Sequence, residues 1–350
     1  MSPVRLALCV NPMSGRDVRR LAARASNMTH EAKRDMVARV AAGAEAVGVT
    51  DLYISREPFR IASLALQHMG LDLRVHVVDT EISNDARDTE RALHAFIEAG
   101  CTTVVTLGGD GTNRALVRAH SDLQLVPLST GTNNVFPTLI EPTIAGMVAG
   151  MAAAGRLSEG EFAARCKVLR VRLSNSATAS VPDEARDTGE EEVQREVVED
   201  VGLIDAVQLR DDHIGNLLPF DAQRIERILL TRAEPDAIGM SPIGGFVDVV
   251  DAADDCGLLV EMGPGQKFLA PLSPGLFREV SVREVTRIPF GVPVTFSGPG
   301  VLALDGDRDY KLGATRSATI TIARDGPQVF DVAAAMRHAV RHGMIGPPSR

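Results

Sequence analysis

The sequence has no tryptophan, only two tyrosines, and an aromatic share of 4%. Its four cysteines, Cys9, Cys101, Cys166 and Cys256, stand far apart and form no Cys-x-x-Cys pair. No apolar run approaches the roughly 18 residues of a membrane-spanning helix. The one near the N-terminus, Leu6 to Val10, stops at Asn11-Pro12 and is too short for a signal-peptide core. Basic residues are the minority, 37 Lys and Arg against 46 Asp and Glu, for a formal charge of -9. Each absence excludes something. Without paired cysteines neither a zinc site nor a disulfide framework is indicated, and the compartment reads as reducing. A chain short of both positive charge and stacking rings lacks the track that nucleic acid needs. The expectation is a soluble cytoplasmic protein with no nucleic-acid partner and no membrane insertion.

What is present is an ordinary globular composition, 45% hydrophobic and 24% charged. At 350 residues the chain exceeds the length at which one core stops growing, about 250 to 300 residues, so two lobes are expected. Residues 1–155 alternate short apolar runs with helical patterns, the βαβ signature of a parallel sheet covered by helices. Strands are expected near 4–10, 50–54, 72–78, 102–107 and 123–128, and helices over 32–46, 58–69, 85–99, 113–120 and 141–154. Asn84 or Asp85 is the expected N-cap of the third helix. After residue 165 the pattern changes to β-branched runs broken by Gly and Pro, at 169–173, 257–262, 292–296, 300–306 and 318–323. Residues 156–330 therefore read as a mainly antiparallel, β-rich second lobe. Helices interrupt it only at 221–231 and at the chain's end, where a helix within 331–345 is placed to pack back on the first lobe. Residues 174–201 carry nine acids and two arginines, a net -7, and read as a solvated acidic loop or hairpin tip.

The chemistry concentrates in VVTLGGDGTNRALV at 104–117. In open parallel sheets ligands bind beyond the carboxyl ends of strands, and Gly108, Gly109, Gly111 and Thr112 sit at such an end. Glycines there let backbone N–H groups approach phosphate oxygens, while the following helix presents its positive N-terminus. The spacing excludes two familiar motifs: Arg114 stands where Gly-x-Gly-x-x-Gly needs its third glycine, and no Gly-Lys-Ser/Thr follows as in a P-loop. Asp110 is the unusual member, because a carboxylate among phosphates repels them unless it binds Mg²⁺ or takes a proton from an attacking hydroxyl. As a turn alone, the stretch is also compatible with an aspartate acting as a local cap. A second polar loop follows the next strand, STGTNN at 129–134, where Thr130, Gly131, Thr132, Asn133 and Asn134 offer uncharged contacts to a nucleotide. A third follows the first strand, where Asn11, Ser14 and Gly15 of NPMSG meet the same ligand if the first strand lies beside the fourth.

NPMSG, GGDGT, STGTNN and LDGD at 304–307 together resemble the NAD kinase and diacylglycerol kinase superfamily. STGTNNVFP, LTRAEPDAIGMSPIGG at 230–245 and LALDGDRDYKL at 302–312 most resemble its acetoin-catabolism X (AcoX) type of ATP-NAD kinase-like proteins, over about residues 4–345. The resemblance implies a Rossmann-like nucleotide-binding α/β lobe, a β-rich acceptor-binding lobe, a cleft active site and often a homo-oligomer. It implies Mg²⁺ and ATP-dependent transfer of a phosphoryl group to a hydroxyl, that of NAD(H) or of another acceptor. Carried over by position, Asp110 becomes the base or metal-organising acid, and Asp305 and Asp307 match an Asp-Gly-Glu used for metal or acceptor handling. Asp307 is one methylene shorter than that glutamate. Gly239 to Gly245 stands where NAD kinases place a Gly-Ser-Thr-Ala-Tyr type motif, without the tyrosine. Ser241, Gly244 and Gly245 could still approach a dinucleotide, with Asp236 orienting a ribose hydroxyl; SPIGG is equally a turn between strands. Two further readings stay open, a lipid or small-alcohol kinase and a nucleotide sensor without catalysis.

Overall fold

The computed structural model describes residues 3–16, 23–25, 27–157, 162–175, 197–215 and 221–345. Most of the acidic segment expected at 174–201, residues 176–196, lies outside them. The N-terminal part is built on β1 (Arg5–Val10), β2 (Asp51–Ser55), β3 (Arg74–Val78), β4 (Thr103–Gly108) and β5 (Gln124–Ser129), all paired in parallel. Crossovers run through α1 (His30–Ala46), α2 (Ile61–Leu66), α3 (Ala86–Glu98) and α4 (Asp110–Ala119), and α5 (Pro142–Ala153) follows β5. Asp85 is the N-cap of α3, its carboxylate accepting the Arg87 N–H at 2.9 Å. β1, β4 and β5 are almost uninterruptedly buried, as parallel strands with helices on both faces must be.

Sheet order decides where a ligand can sit. The seven strands run β3-β2-β1-β4-β5-β17-β6, with β17 (Gln328–Phe330) and β6 (Ala163–Arg165) added at one side. The order reverses between β1 and β4, which pair directly through Val10 and Leu107, so the crevice of the doubly wound fold opens at their carboxyl ends. NPMSG follows β1 and GGDGT begins at the end of β4. One hydrophobic core lies under α1, α2 and α5; the last helix, α7 (Val332–Arg341), joins that core through Val332, Ala335 and Ala339.

The remaining strands form two antiparallel sheets. β13 (Val294–Ser297), β16 (Arg316–Ala323), β7 (Val168–Asn175) and β8 (Val198–Gly202) make one. β12 (Leu276–Pro289), β11 (Cys256–Ser273), β10 (Ile225–Leu230), β9 (Asp205–Leu209), β14 (Gly300–Leu304) and β15 (Asp307–Leu312) make the other. Side chains of both meet in a common core that includes Val171, Ile320, Leu229 and Leu302. β16 alternates buried Ala318, Ile320 and Ile322 with more exposed neighbours, the period of a strand with one inner face. The chain is thus mixed α/β, with a parallel N-terminal sheet and a mostly antiparallel β-rich C-terminal part.

Two expectations need correction. Residues 221–231 are not a helix: Ala222–Arg224 makes one 3-10 turn and Ile225–Leu230 is strand β10, paired on both sides with β9 and β11. Backbone pairing in a central strand, with Ile228, Leu229 and Leu230 fully buried, outweighs the helical spacing. The end of the acidic stretch is not solvated loop either, since β8 begins at Val198 and pairs with β7, and the Asp200 side chain is 3% exposed.

Candidate active site

A cleft of about 370 Å³ opens where the first sheet's carboxyl edge faces the loops of the β-rich part. Its walls bring together Asn11, Ser14 and Gly15 after β1, and Gly109, Asp110, Gly111 and Thr112 after β4. Gly131, Thr132, Asn133 and Asn134 after β5 complete the nucleotide side, and Asp305 and Asp307 come from the β14–β15 turn. The three predicted loops are stitched to one another. Asn11 Nδ2 donates to Thr112 Oγ1 at 2.8 Å, and Ser14 Oγ lies 2.6 Å from Thr130 Oγ1. A side chain at Gly131 would collide with Asn134 Oδ1 and the Gly109 Cα, so these loops touch backbone to backbone. Gly108 and Thr130 stand behind the wall: Gly108 leaves room for the Thr112 side chain, and the buried Thr130 braces Ser14.

Asp110 occupies the first turn of α4, 8% exposed, and its carboxylate accepts the N–H groups of Val135 and Phe136 at 2.9 to 3.2 Å. Burial and the nearby Asp305 push it up to about 7, against the pull of those two N–H donors. Asp305 is held by three backbone donors, Leu203, Ile204 and Asp205, at 2.7 to 3.2 Å. It also has φ 49° and is followed by Gly306 at φ 90°, the left-handed pair that a tight hairpin between β14 and β15 requires. The Asp-Gly of LDGD is therefore first a hairpin turn. Asp305 is thus a structural acceptor of the turn and, at 8% exposure, also part of the cleft wall. Asp307 leaves the turn toward GGDGT, with Oδ2 3.3 Å from the place a Gly111 Cβ would occupy. Among the described residues no group of three or more His, Cys, Asp or Glu converges as a preformed ion site.

The expected acceptor contacts at 236–245 do not reach the cleft. Ser241 opens the short helix α6 (Ser241–Gly245), fully buried, donating to Arg232 O and accepting Glu234 N–H, both at 2.9 Å. Gly244 packs on Leu230 and Leu258, and Gly245 on the backbone of Glu234 and Pro235. Asp236 is exposed and outside the wall. From this stretch only Ile238, Gly239 and Met240 line the cleft. Lys167, just before β7, is buried and donates to the carbonyls of Asp251 and Cys256, so it holds a loop.

Sequence reasoning missed two side chains of consequence. Lys33 of α1 is fully buried, and its ammonium donates to the carbonyls of Asn11, Pro12 and Ser14, each at 2.8 Å, which fixes the NPMSG loop. Its signal was a charge on the same helical face as buried Val37, Val40, Ala41 and Ala44. Asp205 opens β9, lines the cleft at 7% exposure, and its Oδ1 has no hydrogen-bond partner among the described residues. Burial and then the acids Asp305 and Asp110 raise its pKa well above the ordinary carboxylate range. Its signal was an acid inside the apolar run GLIDAV at 202–207. The amide oxygens of Asn133 and Asn134 are likewise buried and unpartnered among the described residues, while their NH₂ groups hold Leu272 O and Ser129 Oγ. A cleft with buried, unsatisfied acceptors and carboxyls whose pKa is raised is suited to receive hydrogen-bond donors.

Comparison with known proteins agrees with this arrangement. Residues 13–155 match the model of the ATP-NAD kinase N-terminal domain, and residues 190–325 that of the acetoin catabolism protein X C-terminal domain. Acetoin catabolism protein X of Cupriavidus necator is 32% identical over 357 aligned positions, which cover 99% of this chain and 94% of that protein.

Proposed function

The chain belongs to the acetoin catabolism protein X family, with an ATP-NAD kinase N-terminal domain, and on that premise we propose that it transfers the γ-phosphoryl group of ATP to a hydroxyl. The acceptor we put first is the ribose 2′-hydroxyl of NAD(H), which would give NADP(H). The observation that carries the reading is Asp110: a buried carboxyl, poised at about 7, where β1 and β4 diverge and three polar loops meet.

The loops at 11–15, 108–112 and 130–134 would hold the nucleotide, their backbone N–H groups and the α4 N-terminus facing its phosphates. Asp110 would accept the proton of the attacking hydroxyl; at a pKa near 7 it is ionised often enough to act and basic enough to help. Asp307, across Gly111, would orient the acceptor. The residues fit a divalent ion that arrives on the nucleotide. Mg²⁺ usually binds through one or two carboxylates together with phosphate oxygens and waters, and Asp205 is the cleft carboxylate with an unpartnered oxygen. Such an ion would neutralise charge on the transferring phosphoryl group.

One observation favours a different acceptor. Ser241, Gly244 and Gly245 are committed to packing, so these three expected dinucleotide contacts are lost and only Ile238, Gly239 and Met240 of that stretch face the cleft; a lipid or other small alcohol would use the same donor site. Mass spectrometry of products from Mg²⁺-ATP with NAD, NADH, diacylglycerol and sphingoid bases tests the reading. NADP or NADPH that disappears with Asp110→Asn supports it, a phosphorylated lipid replaces the acceptor, and no product from any of them refutes transfer to these acceptors.

A further inference from the structure

Arg114 stands one helical turn beyond Asp110 on α4, 2% exposed and outside the cleft wall. Three segments remote in sequence converge on its guanidinium. In β8, Nε donates to Val201 O at 2.7 Å and Nη2 to Asp200 Oδ2 at 2.6 Å. Nη1 donates to Leu304 O at 3.2 Å, the residue before Asp305, and to Asp309 Oδ2 at 2.5 Å, two residues beyond Asp307. Asp200 is shared with Arg118 Nε at 3.0 Å and the Tyr310 hydroxyl at 2.6 Å.

These segments carry the acids of the cleft. β8 leads into the 203–205 backbone that holds Asp305, and into Asp205 itself; Leu304 and Asp309 flank the turn that presents Asp305 and Asp307. Burying an arginine between two carboxylates gains little stability over apolar packing, because desolvation offsets the attraction; fixed register is the best attested use of such a pair. A planar fork with five donors can hold two backbone carbonyls and two carboxylates in one geometry, which a lysine's point charge cannot reproduce.

We propose that Arg114 is a positioning residue that sets the register between the Asp110 loop and the acidic turn Asp305–Asp307, governing transfer to the acceptor and not nucleotide binding. The transfer half of this inference rests on the kinase reading above; the register half does not.

The test compares wild type, Arg114→Lys and Asp309→Asn by hydrogen exchange, by the melting-temperature rise on adding Mg²⁺-ATP, and by kcat and KM. In Arg114→Lys the Leu203, Ile204 and Asp205 amides exchange about tenfold faster, while the Val135 and Phe136 amides and the nucleotide-induced rise stay as in wild type. kcat falls on the order of 100-fold with KM for ATP unchanged, the cost of a reactive geometry displaced by about 1 Å. Asp309→Asn, which neutralises a partner that is 33% exposed, shows the same pattern more weakly and decides the matter if Arg114→Lys does not fold. Lower kcat with unchanged exchange at 203–205, or faster exchange with kcat intact, overturns the proposal. If wild type phosphorylates no acceptor, the kinase reading fails by itself, and the exchange data alone uphold or overturn the register.

Discussion

Asp110→Asn should make the protein more stable and less active at once, and the gain in stability should depend on pH. The folded-state pKa of about 7 stands above the ordinary 3.8, so between those values the fold binds protons that the unfolded chain does not. Stability therefore falls as pH rises through that window, and the loss is complete above pH 7. About three pKa units at ~1.4 kcal/mol each put the cost of the ionised group near 4 kcal/mol. Asparagine is neutral throughout and keeps one oxygen to accept the Phe136 N–H, which donates to Asp110 Oδ1 at 2.9 Å in wild type. Losing the second oxygen's share of the Val135 N–H costs about 1 kcal/mol. The variant should then exceed wild type by about 3 kcal/mol at pH 8 to 9, with the difference gone by about pH 4. Urea unfolding of both proteins across that range measures it, alongside turnover, which should drop by roughly 10² to 10⁴. A stability difference that is flat with pH, or a variant weaker than wild type at pH 8.5, would refute a buried carboxyl of raised pKa at this position.

In wild type, kcat/KM should rise about tenfold per pH unit below 7 and level off above it, because the base must be ionised; a flat profile from pH 5 to 8 argues against Asp110 as base. Lys33→Met leaves three loop carbonyls without their donor and should cost about 3 kcal/mol while weakening ATP binding, read by melting temperature and by titration with nucleotide. Asp205→Asn should raise the Mg²⁺ concentration needed for half-maximal activity and, because the raised pKa makes the ionised carboxyl costly to the fold, should also raise stability at neutral pH; an unaltered Mg²⁺ dependence removes Asp205 from the metal's surroundings. Ser241→Ala should lower stability by about 1 to 2 kcal/mol yet leave acceptor KM untouched, since its hydroxyl only bridges Arg232 O and Glu234 N.

The parallel half was legible because its signals are local. Five short apolar runs, each closed by a polar or glycine turn, placed β1 to β5 within a residue or two, and pairing of β1 with β4 then followed the doubly wound order; β1, β4 and β5 are the buried ones and β3 is an exposed edge. The three nucleotide loops were legible for the same reason: their residues are contiguous and carry the turn chemistry themselves. What was not legible depends on partners remote in sequence. Strand β10 looks helical until β9 and β11 claim its backbone on both sides. Ser241, Gly244 and Gly245 have the composition of a ligand loop, and only the walls of Leu230, Leu258 and Glu234 show that they pack. Arg114 was visible as a missing glycine, but its meaning lies in Asp200, Val201, Leu304 and Asp309, 86 to 195 residues away. The motif pointed to Asp305, but the left-handed hairpin turn and the three backbone donors that hold it come from segments about 100 residues away.

The outer neighbours of β5 have a consequence for how the protein is made. A ribosome delivers the first five strands of the parallel sheet by Ser129, yet β5 pairs with β17, whose first residue is Gln328, and α7 fills the same core later still. During synthesis that flank of the sheet stays an open template for any other extended chain, at a translation speed of about 5 to 20 residues per second. A premature stop near the end of the message would thus harm the beginning of the fold. Truncation before Gln328 should yield aggregates and not a smaller nucleotide-binding protein, although every nucleotide loop is already present in the shortened chain.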